Sequence, residues 1–506
     1  MRCIVSGLNN RRHSCKITKE RVKMVFSSLF FLFGFLPAVL VFYYFPLFKS
    51  RTYKNAVLLA ASLAFYAWGE PVFVFVMLFS ILVNYAAGLL IGRANQTDGA
   101  KSKKAKAWLV AALVWNIGLL FVFKYLSFLT ETFRKAMNLQ NMPVFKIALP
   151  IGISFFTFQI LSYIIDVYRG QVPVQKNIAR LALYISLFPQ LIAGPIVRYE
   201  TVHDQILNRK ESLDGFVKGF ERFVIGLGKK CLLANYMAII ADTMFAMQPA
   251  DLTLWGAWLG AAGYTLQIYF DFSGYSDMAI GLGLMFGFRF EENFNYPYAA
   301  KSITDFWRRW HISLSSWFRD YVYIPLGGNR SVKARCVFNL FVVWVLTGIW
   351  HGANFTFWLW GLYYFVLLQT ERSFGLAKKA AETKGLMSVL FRIVTLVLVM
   401  FGWVMFRAEN ISKTFEYFAC MFGKSGAAFG QASFLLYNSA FVLAAAVFAC
   451  VPYKEIAERK FPGLYESEKA RSIFYSARSL ALVVVLAVSI LSCIQSTYNP
   501  FIYFNF

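Results

Sequence analysis

The sequence predicts an all-α polytopic membrane protein, and its composition and its apolar runs support that fold class. Of the 506 residues, 58% are hydrophobic and only 15% are charged, and the mean hydropathy is +0.53. A soluble domain carries a larger polar fraction. Many apolar runs reach the length of about 20 residues that crosses a bilayer as a helix. These features exclude a soluble multi-domain protein.

The apolar runs indicate roughly 11–12 hydrophobic segments within a single domain, residues 24–506. They fall near 26–47, 55–69, 71–91, 107–129, 147–168, 178–197, 216–247, 253–286, 337–370, 386–406, 432–451 and 477–497. Pro150, Pro189, Gly194 and Pro195 interrupt two of these runs. Broken helix at membrane depth is tolerated where protein or a cavity surrounds it, so we expect re-entrant or half-helices there.

The net charge of +25 arises from 51 Lys and Arg against 26 Asp and Glu, and the basic residues lie mainly in short loops and at segment ends. This placement is typical of the positive-inside rule and of contact with anionic lipid headgroups. It explains the charge without a nucleic acid partner. The same residues would also attract an anionic substrate.

Residues 1–23 form a basic, polar leader without the features of a signal peptide. The loop Lys49–Lys54 and the loop Arg93–Lys106 are both basic, which places both on the cytoplasmic side. Because the loop Lys49–Lys54 follows the first helix, that helix must start outside, and a cytoplasmic-type leader contradicts this orientation. We therefore expect residues 1–23 to be a mis-assigned start and the domain to begin at Met24.

The seven cysteines show neither a CxxC pair nor a zinc-ligand spacing. Most lie in or beside apolar segments, where Cys behaves as a small hydrophobic residue. We therefore expect no metal site, no disulfide framework and no bound cofactor.

The segment 302–321 has the pattern of an amphipathic helix at a membrane interface. Its apolar residues recur at helical spacing over an arc of about 120°: Ile303, Phe306, Trp307, Trp310, Leu314, Trp317, Phe318 and Tyr321. Its charged residues lie on the other face: Asp305, Arg308, Arg309, Arg319 and Asp320. His311 falls at the edge of the apolar arc, where a side chain can face a polar pocket.

His351 lies within the nearly uncharged run Val337–Leu368. An ionisable residue at membrane depth is costly, which makes it a functional candidate by default. The structural alternative is a neutral histidine that binds a neighbouring carbonyl or packs beside Gly348 and Gly352.

Two intramembrane carboxylates, Asp271 and Asp277, are further candidates for contact with a substrate. Gln267 shares a helix face with Asp271, and Ser273 shares one with Asp277. The carboxylates could line a polar tunnel, bind a cation or pair with arginines. We favour the structural pairing, because two carboxylates alone are a weak signal for acid–base chemistry.

Several motifs resemble those of the membrane-bound O-acyltransferases. They are Asp305-Phe306-Trp307-Arg308-Arg309-Trp310-His311, Arg319-Asp320-Tyr321, Ile324-Pro325-Leu326-Gly327-Gly328-Asn329-Arg330 and Trp350-His351-Gly352. The segments Asp271–Asp277, Asn293–Tyr298 and Phe501–Phe506 resemble the alginate O-acetyltransferase branch, which includes peptidoglycan O-acetylating relatives. The resemblance covers nearly all of 24–506 and is most specific between 265 and 361.

The resemblance implies a ring of helices around a tunnel, with His351 as the principal catalytic residue and His311 as the second. A sugar hydroxyl is a poor nucleophile, and histidine titrates near neutral pH, so an imidazole suits the role of base. A second group must orient that base or stabilise the oxyanion. Four basic residues are candidate clamps for the phosphates of acetyl-CoA: Arg308, Arg309, Arg319 and Arg330.

Topology adds further expectations. Acetyl-CoA is cytosolic and an exported polysaccharide lies outside, so the resemblance implies that the acyl group crosses the cytoplasmic membrane through the tunnel. It also implies an extracytoplasmic acetyltransferase as partner. The enzymatic alternative is a D-alanyl transferase that uses a carrier-protein thioester. A transporter that couples ions through Asp271 and Asp277 is the alternative from another class, although it leaves the histidine motifs unexplained.

The C-terminal segment Pro500–Phe506 carries four aromatic residues and no charge. A disordered tail is usually polar, so this composition predicts a docked one. One interpretation is an aromatic anchor at the membrane interface. The other is that the tail enters the outer mouth of the tunnel and that Tyr503 orients or briefly carries the acyl group near His351, since a phenol ionises more easily than a sugar hydroxyl.

Overall fold

The computed structural model describes residues 24–139, 141–145, 147–192, 194–424, 430–460, 468–495 and 501–502, and every regular element within these ranges is a helix. By length and composition, seven described segments can cross a membrane: Phe73–Thr97, Lys103–Lys124, Leu213–Ala246, Lys333–His351, Gly385–Arg407, Ala432–Ala449 and Ser472–Gln495. The predicted all-α polytopic class is therefore confirmed. The leader 1–23 lies outside the described residues.

The first half of the chain begins with a π-helical turn, Phe31–Phe35, before α1. The next helices are α1 Leu36–Tyr43, α2 Arg51–Gly69, α3 Phe73–Thr97, α4 Lys103–Lys124, α5 Leu126–Ala136, α6 Ile153–Arg169, α7 Ile178–Ser186, α8 Phe188–Leu191, α9 Tyr199–Asn208 and α10 Leu213–Gly228. Several begin at a Ser or Asn whose side chain accepts a hydrogen bond from the first turn, such as Ser50 and Asn177.

A second π-helical turn, Lys229–Ala234, joins α10 to α11. The remaining helices are α11 Asn235–Ala246, α12 Leu254–Met285, α13 Ile303–Arg309, α14 Ile312–Phe318, α15 Lys333–His351, α16 Phe355–Ser373, α17 Leu376–Glu382, α18 Gly385–Arg407, α19 Ile411–Met421, α20 Gly430–Ala449, α21 Tyr453–Lys460 and α22 Glu468–Gln495.

Helix α12 forms the centre of the core, because nearly all its residues from Tyr264 to Met285 are buried. It packs closely on α10, where glycines let the two backbones approach. A Cβ added at Gly226 would lie 2.5 Å from the carbonyl oxygen of Gly274. This contact requires glycine, and it holds two long helices against each other along one face.

The chain breaks where proline and glycine interrupt the apolar runs. Helix α6 begins after Gly152, which has a φ of 75°. Helix α7 ends at Ser186, and α8 is a single turn that contains Pro189. The run near residue 190 is thus broken into short helices, as predicted, whereas the run near residue 150 forms one continuous helix of 17 residues after Gly152.

Candidate active site

His311 lies in a break between two short helices, so the prediction of one continuous helix over 302–321 is wrong at this point. Its backbone is left-handed, with a φ of 45° and a ψ of 54°. Because Asn295 donates to the carbonyl of Arg309 at 2.9 Å and Ile312 donates to the carbonyl of Asn293 at 3.0 Å, the segment 293–295 holds the break open. A non-glycine residue in this region stores strain, which is common at functional sites.

The amphipathic pattern itself holds on both sides of the break, but its apolar face packs against protein. The rings of Trp307 and Tyr364 lie 4.9 Å apart, and those of Trp310 and Trp403 lie 4.8 Å apart. The buried carboxylate of Glu371 accepts hydrogen bonds from the backbone of Ile303 and Thr304 at 2.6 and 2.8 Å. This capping fixes the start of α13.

Asn293 fixes the tautomer of His311. Its Oδ1 lies 3.1 Å from Nδ1 of His311 and also accepts from the hydroxyl of Ser313 at 2.9 Å, while its Nδ2 donates to Ser276 at 3.1 Å. An amide oxygen only accepts, so Nδ1 of His311 carries the proton and Nε2 carries the lone pair.

Nε2 of His311 is buried and has no hydrogen-bond partner within the described part of the chain. The side chain lies outside the seven candidate spans, and only 1% of the residue is exposed. Burial lowers the pKa of the His311 imidazole, so the ring is neutral at pH 7. A neutral imidazole with a free lone pair is able to accept a proton from a bound hydroxyl.

His351 is the last residue of α15 and is 5% exposed. The structure divides the apolar run around it into α15 and α16, so His351 lies at a helix end rather than within a continuous helix. The hinge is tight, because a Cβ at Gly348 would lie 2.5 Å from the carbonyl oxygen of Phe357. The rings of Trp360 and Phe406 each lie 5.0 Å from the His351 ring, which places it in an aromatic pocket.

The two histidines, which are 40 residues apart in sequence (351 − 311), meet at one tryptophan. The Trp350 ring lies 6.2 Å from the His311 ring and 5.0 Å from the His351 ring, measured between centroids. The structure therefore brings both predicted catalytic side chains into one buried, aromatic site. The described residues contain no cluster of His, Cys, Asp and Glu that would hold a metal ion.

The four candidate arginines do not form one group. Arg308 and Arg309 line a cleft of about 490 Å³ together with Lys301 and Lys378, and Arg309 also pairs with the nearby Asp305. The other two arginines lie elsewhere. Arg319 is exposed and pairs with Asp320 at 2.7 Å, and Arg330 is exposed in the turn that follows two glycines. Of the four arginines, only Arg308 and Arg309 share a cleft with other basic side chains, and Asp305 lines the same cleft.

The candidate carboxylates are held in ion pairs with α10 and the π-helical turn after it. Asp277 pairs with Arg222 at 2.8 Å and with Lys229 at 2.7 Å. Asp271 pairs with Lys230 at 2.6 Å. Asp271 also lines a second, larger cavity of about 1080 Å³ that Arg407 borders. Pairing with an arginine therefore describes Asp277 alone, since the partner of Asp271 is a lysine.

The C-terminal tail docks at its two described residues, Phe501 and Ile502, which are both buried. The backbone amide of Ile502 donates to Asp271 at 2.6 Å. The Phe501 ring packs 6.3 Å from Phe272, and the Phe272 ring lies 4.6 Å from His311. The tail thus reaches the second layer of side chains around His311. Tyr503 lies outside the described residues.

The tail leads to a prediction about the Tyr503 hydroxyl. Phe substitution keeps the ring and removes only the hydroxyl, so an anchor tolerates Tyr503→Phe, whereas a relay loses glycan acetylation and still binds donor. Acetyl groups released from isolated glycan are the measurement that separates the two interpretations. Full activity of Tyr503→Phe would rule out the relay, and full activity after deletion of residues 500–506 would show that docking is dispensable.

Two polar contributors were missed from the sequence. Asn293 appeared only within a motif, although it contacts the imidazole directly. Lys124 was assigned to an apolar run, yet its ammonium donates to the carbonyl of Trp350. A single lysine inside an apolar run is visible in the sequence and indicates a functional residue.

The fold and the site define a multi-pass membrane protein that holds two buried imidazoles in one aromatic pocket. A family model described as MBOAT, membrane-bound O-acyltransferase family, matches residues 171–408. The chain is 46% identical over 402 residues to a probable alginate O-acetylase of Pseudomonas aeruginosa, with 79% of this chain and 75% of that protein covered.

Two further relatives extend over almost the whole chain. A probable alginate O-acetylase of Pseudomonas putida is 41% identical over 504 residues, with 96% of this chain and 100% of that protein covered. A peptidoglycan O-acetyltransferase of Helicobacter pylori is 32% identical over 527 residues, with 96% and 98% covered. This chain therefore belongs to the membrane-bound O-acyltransferase family, and it is an O-acyltransferase.

Proposed function

We propose that the protein moves an acetyl group from cytosolic acetyl-CoA across the cytoplasmic membrane for O-acetylation of an exported polysaccharide of the alginate or peptidoglycan class. The observation that carries this proposal is the pair of buried histidines at Trp350, where His311 presents a lone pair. The full-length similarity to polysaccharide O-acetylating proteins supports the acceptor class.

The chemistry is acyl transfer with a general base. The hydroxyl oxygen of the acceptor attacks the thioester carbonyl of the donor. An imidazole takes the proton of that hydroxyl as the C–O bond forms. The C–S bond then breaks, and the proton goes to the departing thiolate. His351 is the principal base, and His311 is its partner. Because Nδ1 of His311 already donates to Asn293, its Nε2 accepts a proton rather than stabilising an oxyanion.

The proposed route takes the acyl group, rather than the whole donor, from one side of the membrane to the other, and two cavities mark its candidate openings. Lys378 lines the basic cleft and precedes α18, whereas Arg407 ends α18 and lines the larger cavity. The two openings therefore lie at opposite ends of a helix that is about 34 Å long. Positive charge around the basic cleft supports a cytosolic position for it, and in this proposal an extracytoplasmic acetyltransferase completes the transfer from the other side.

The donor assignment is tested with purified protein in lipid vesicles. We expect consumption of acetyl-CoA thioester and no consumption of a D-alanyl carrier-protein thioester. The reverse preference would identify a D-alanyl transferase, and solute transport without thioester cleavage would identify a transporter. Deletion of the gene should remove acetyl groups from one exported glycan, and their chemical analysis would identify the acceptor.

Arg308 provides a sharper test of the donor site. Because Arg308 is exposed and lines the basic cleft, Arg308→Gln should remove one charged contact to a donor phosphate and raise KM for acetyl-CoA. A hydrogen bond to a charged group is worth about 1.5–3 kcal/mol, which corresponds to a rise of roughly tenfold or more. Arg330→Gln is the matched control, since Arg330 is exposed away from the cleft. Equal KM changes in the two variants would contradict a phosphate site at Arg308.

A further inference from the structure

Lys124 places a buried ammonium beside the two histidines. It ends α4, and the residue is only 8% exposed. Its Nζ donates to the backbone carbonyl of Trp350 and to the hydroxyl of Ser154, the latter at 3.3 Å. The same nitrogen lies 5.7 Å from the centroid of the Trp350 ring. Lys124 therefore reaches the residue that both imidazoles contact.

The environment of Lys124 differs from that of the other buried lysine on a candidate span. Lys230 pairs with Asp271 at 2.6 Å. For Lys124, the described residues supply no carboxylate within the 4.0 Å of an ion pair. A buried charge without a counter-charge is costly, and in membrane segments such residues are typically functional.

The carbonyl groups at the C-terminal end of α15 stabilise the charge of Lys124. The last carbonyls of a helix lack partners within the helix and carry its negative dipole end, which favours a cation there. Lys124 donates to the carbonyl of Trp350, and the hydroxyl of the adjacent Tyr125 donates to the carbonyl of Ile349. Two consecutive residues of the chain thus cap the two carbonyls that precede His351.

Lys124 also connects this helix end to the surroundings of His311. Ser154, its second acceptor, lies in the first turn of α6. The next residue, Phe155, packs its ring 5.6 Å from Trp350 and 6.5 Å from His311. A lysine whose only role was to reach the lipid headgroups would place its charge at the surface, but this charge is buried between α6 and α15.

We propose that Lys124 is a positioning residue for the acyl-transfer site: its ammonium, with the Tyr125 hydroxyl, fixes the last turn of α15 and so holds the His351 imidazole beside His311. This role rests on the proposed acyl-transfer function of the two histidines. A misplacement of a reacting group by about 1 Å is enough to cost on the order of 100-fold in rate.

The test compares Lys124→Met, which keeps the chain length without charge or donors, with Lys124→Arg, which keeps both. Lys104→Met is the matched control, because Lys104 lies on the same helix with 76% of its side chain exposed. We expect Lys124→Met to lower kcat for thioester consumption on the order of 100-fold with KM for acetyl-CoA unchanged. Lys124→Arg should recover most of the activity, and the control should match wild type.

A second measurement needs no acyl donor. Diethyl pyrocarbonate modifies accessible imidazoles, and mass spectrometry reports the rate at His351. We expect faster modification in Lys124→Met than in wild type and no change in the control. The proposal is overturned if Lys124→Met keeps both the kcat and the His351 modification rate of wild type. It is also overturned if Lys124→Met loses activity while the His351 modification rate stays unchanged.

Two further outcomes are separated by this design. If Lys124→Met does not fold, Tyr125→Phe removes a single hydroxyl from the same cap and should also raise the modification rate; an unchanged rate would overturn the proposal. If wild-type protein consumes no acetyl-CoA, the proposed function fails, and the modification rates still decide whether Lys124 positions His351.

Discussion

Replacement of His351 by alanine is expected to abolish O-acetylation while the protein still inserts and accumulates normally. His351 lies in a pocket of rigid rings, so truncation to alanine removes the imidazole proposed as the principal base. General-base catalysis contributes about 100-fold or more. Thioester consumption in vesicles that contain equal amounts of protein should therefore fall by at least that factor. Retention of more than about a tenth of wild-type activity would argue against the assignment.

His203 provides the matched control, because it lies on α9 and is half-buried, away from the aromatic pocket. His203→Ala should keep wild-type activity. His311→Ala should also impair transfer. If the two imidazoles act as a unit, the double variant should be no slower than the slower single variant. If the fold-loss in rate of the double variant equals the product of the two single fold-losses, His311 and His351 act in separate steps.

The sequence was sufficient to predict the fold class and to select two histidines that the structure places beside the same tryptophan. Long apolar runs indicate a bilayer. A lone ionisable residue in such a run is costly and is therefore a functional candidate, and this argument selected His351. The same argument applied to Lys124, but a lysine near the end of a run also suits headgroup contact. Sequence alone cannot distinguish the two, because the distinction depends on where the ammonium lies in three dimensions.

The break at His311 shows a different limit of sequence analysis. Hydrophobic periodicity reports which face of a segment is buried, and that face was identified correctly. It does not report backbone dihedrals, and the left-handed conformation of His311 depends on pairing with residues 293–295, which are distant in sequence. Local propensity gives way to tertiary contacts at such a site.

The arginines show a third limit. Four basic residues near one predicted helix appeared equivalent in the sequence. In the structure Arg319 is paired and exposed, whereas Arg308 shares a cleft with three other basic side chains. Arg308 lies on α13 and Arg319 follows α14, so the break at His311 lies between them and directs the two side chains to different surroundings.

Asn293 gives the second prediction with a large expected effect, because a single amide oxygen determines which nitrogen of His311 carries the proton. Asn293→Leu keeps a similar volume and removes that acceptor. Nδ1–H is then left with the more distant hydroxyl of Ser313, 3.4 Å away, and the other tautomer becomes accessible. Loss of the group that fixes a catalytic tautomer costs up to about 10⁴-fold in kcat in a hydrolytic triad. We expect a loss of kcat between roughly 100-fold and that limit, with KM for acetyl-CoA unchanged, in a steady-state assay.

Asn293→Asp separates tautomer control from packing, because a carboxylate still accepts from Nδ1–H but adds a negative charge. An adjacent negative charge favours the imidazolium and therefore raises the pKa of His311. A base must be unprotonated to act, so the acid limb of the kcat profile should move to higher pH, and activity lost in acidic buffer should return at higher pH. Asn295→Leu, at an exposed neighbour, should leave the profile unchanged. An unshifted profile in Asn293→Asp, or an alkaline recovery in Asn293→Leu, would show that Asn293 does not act through the protonation of His311.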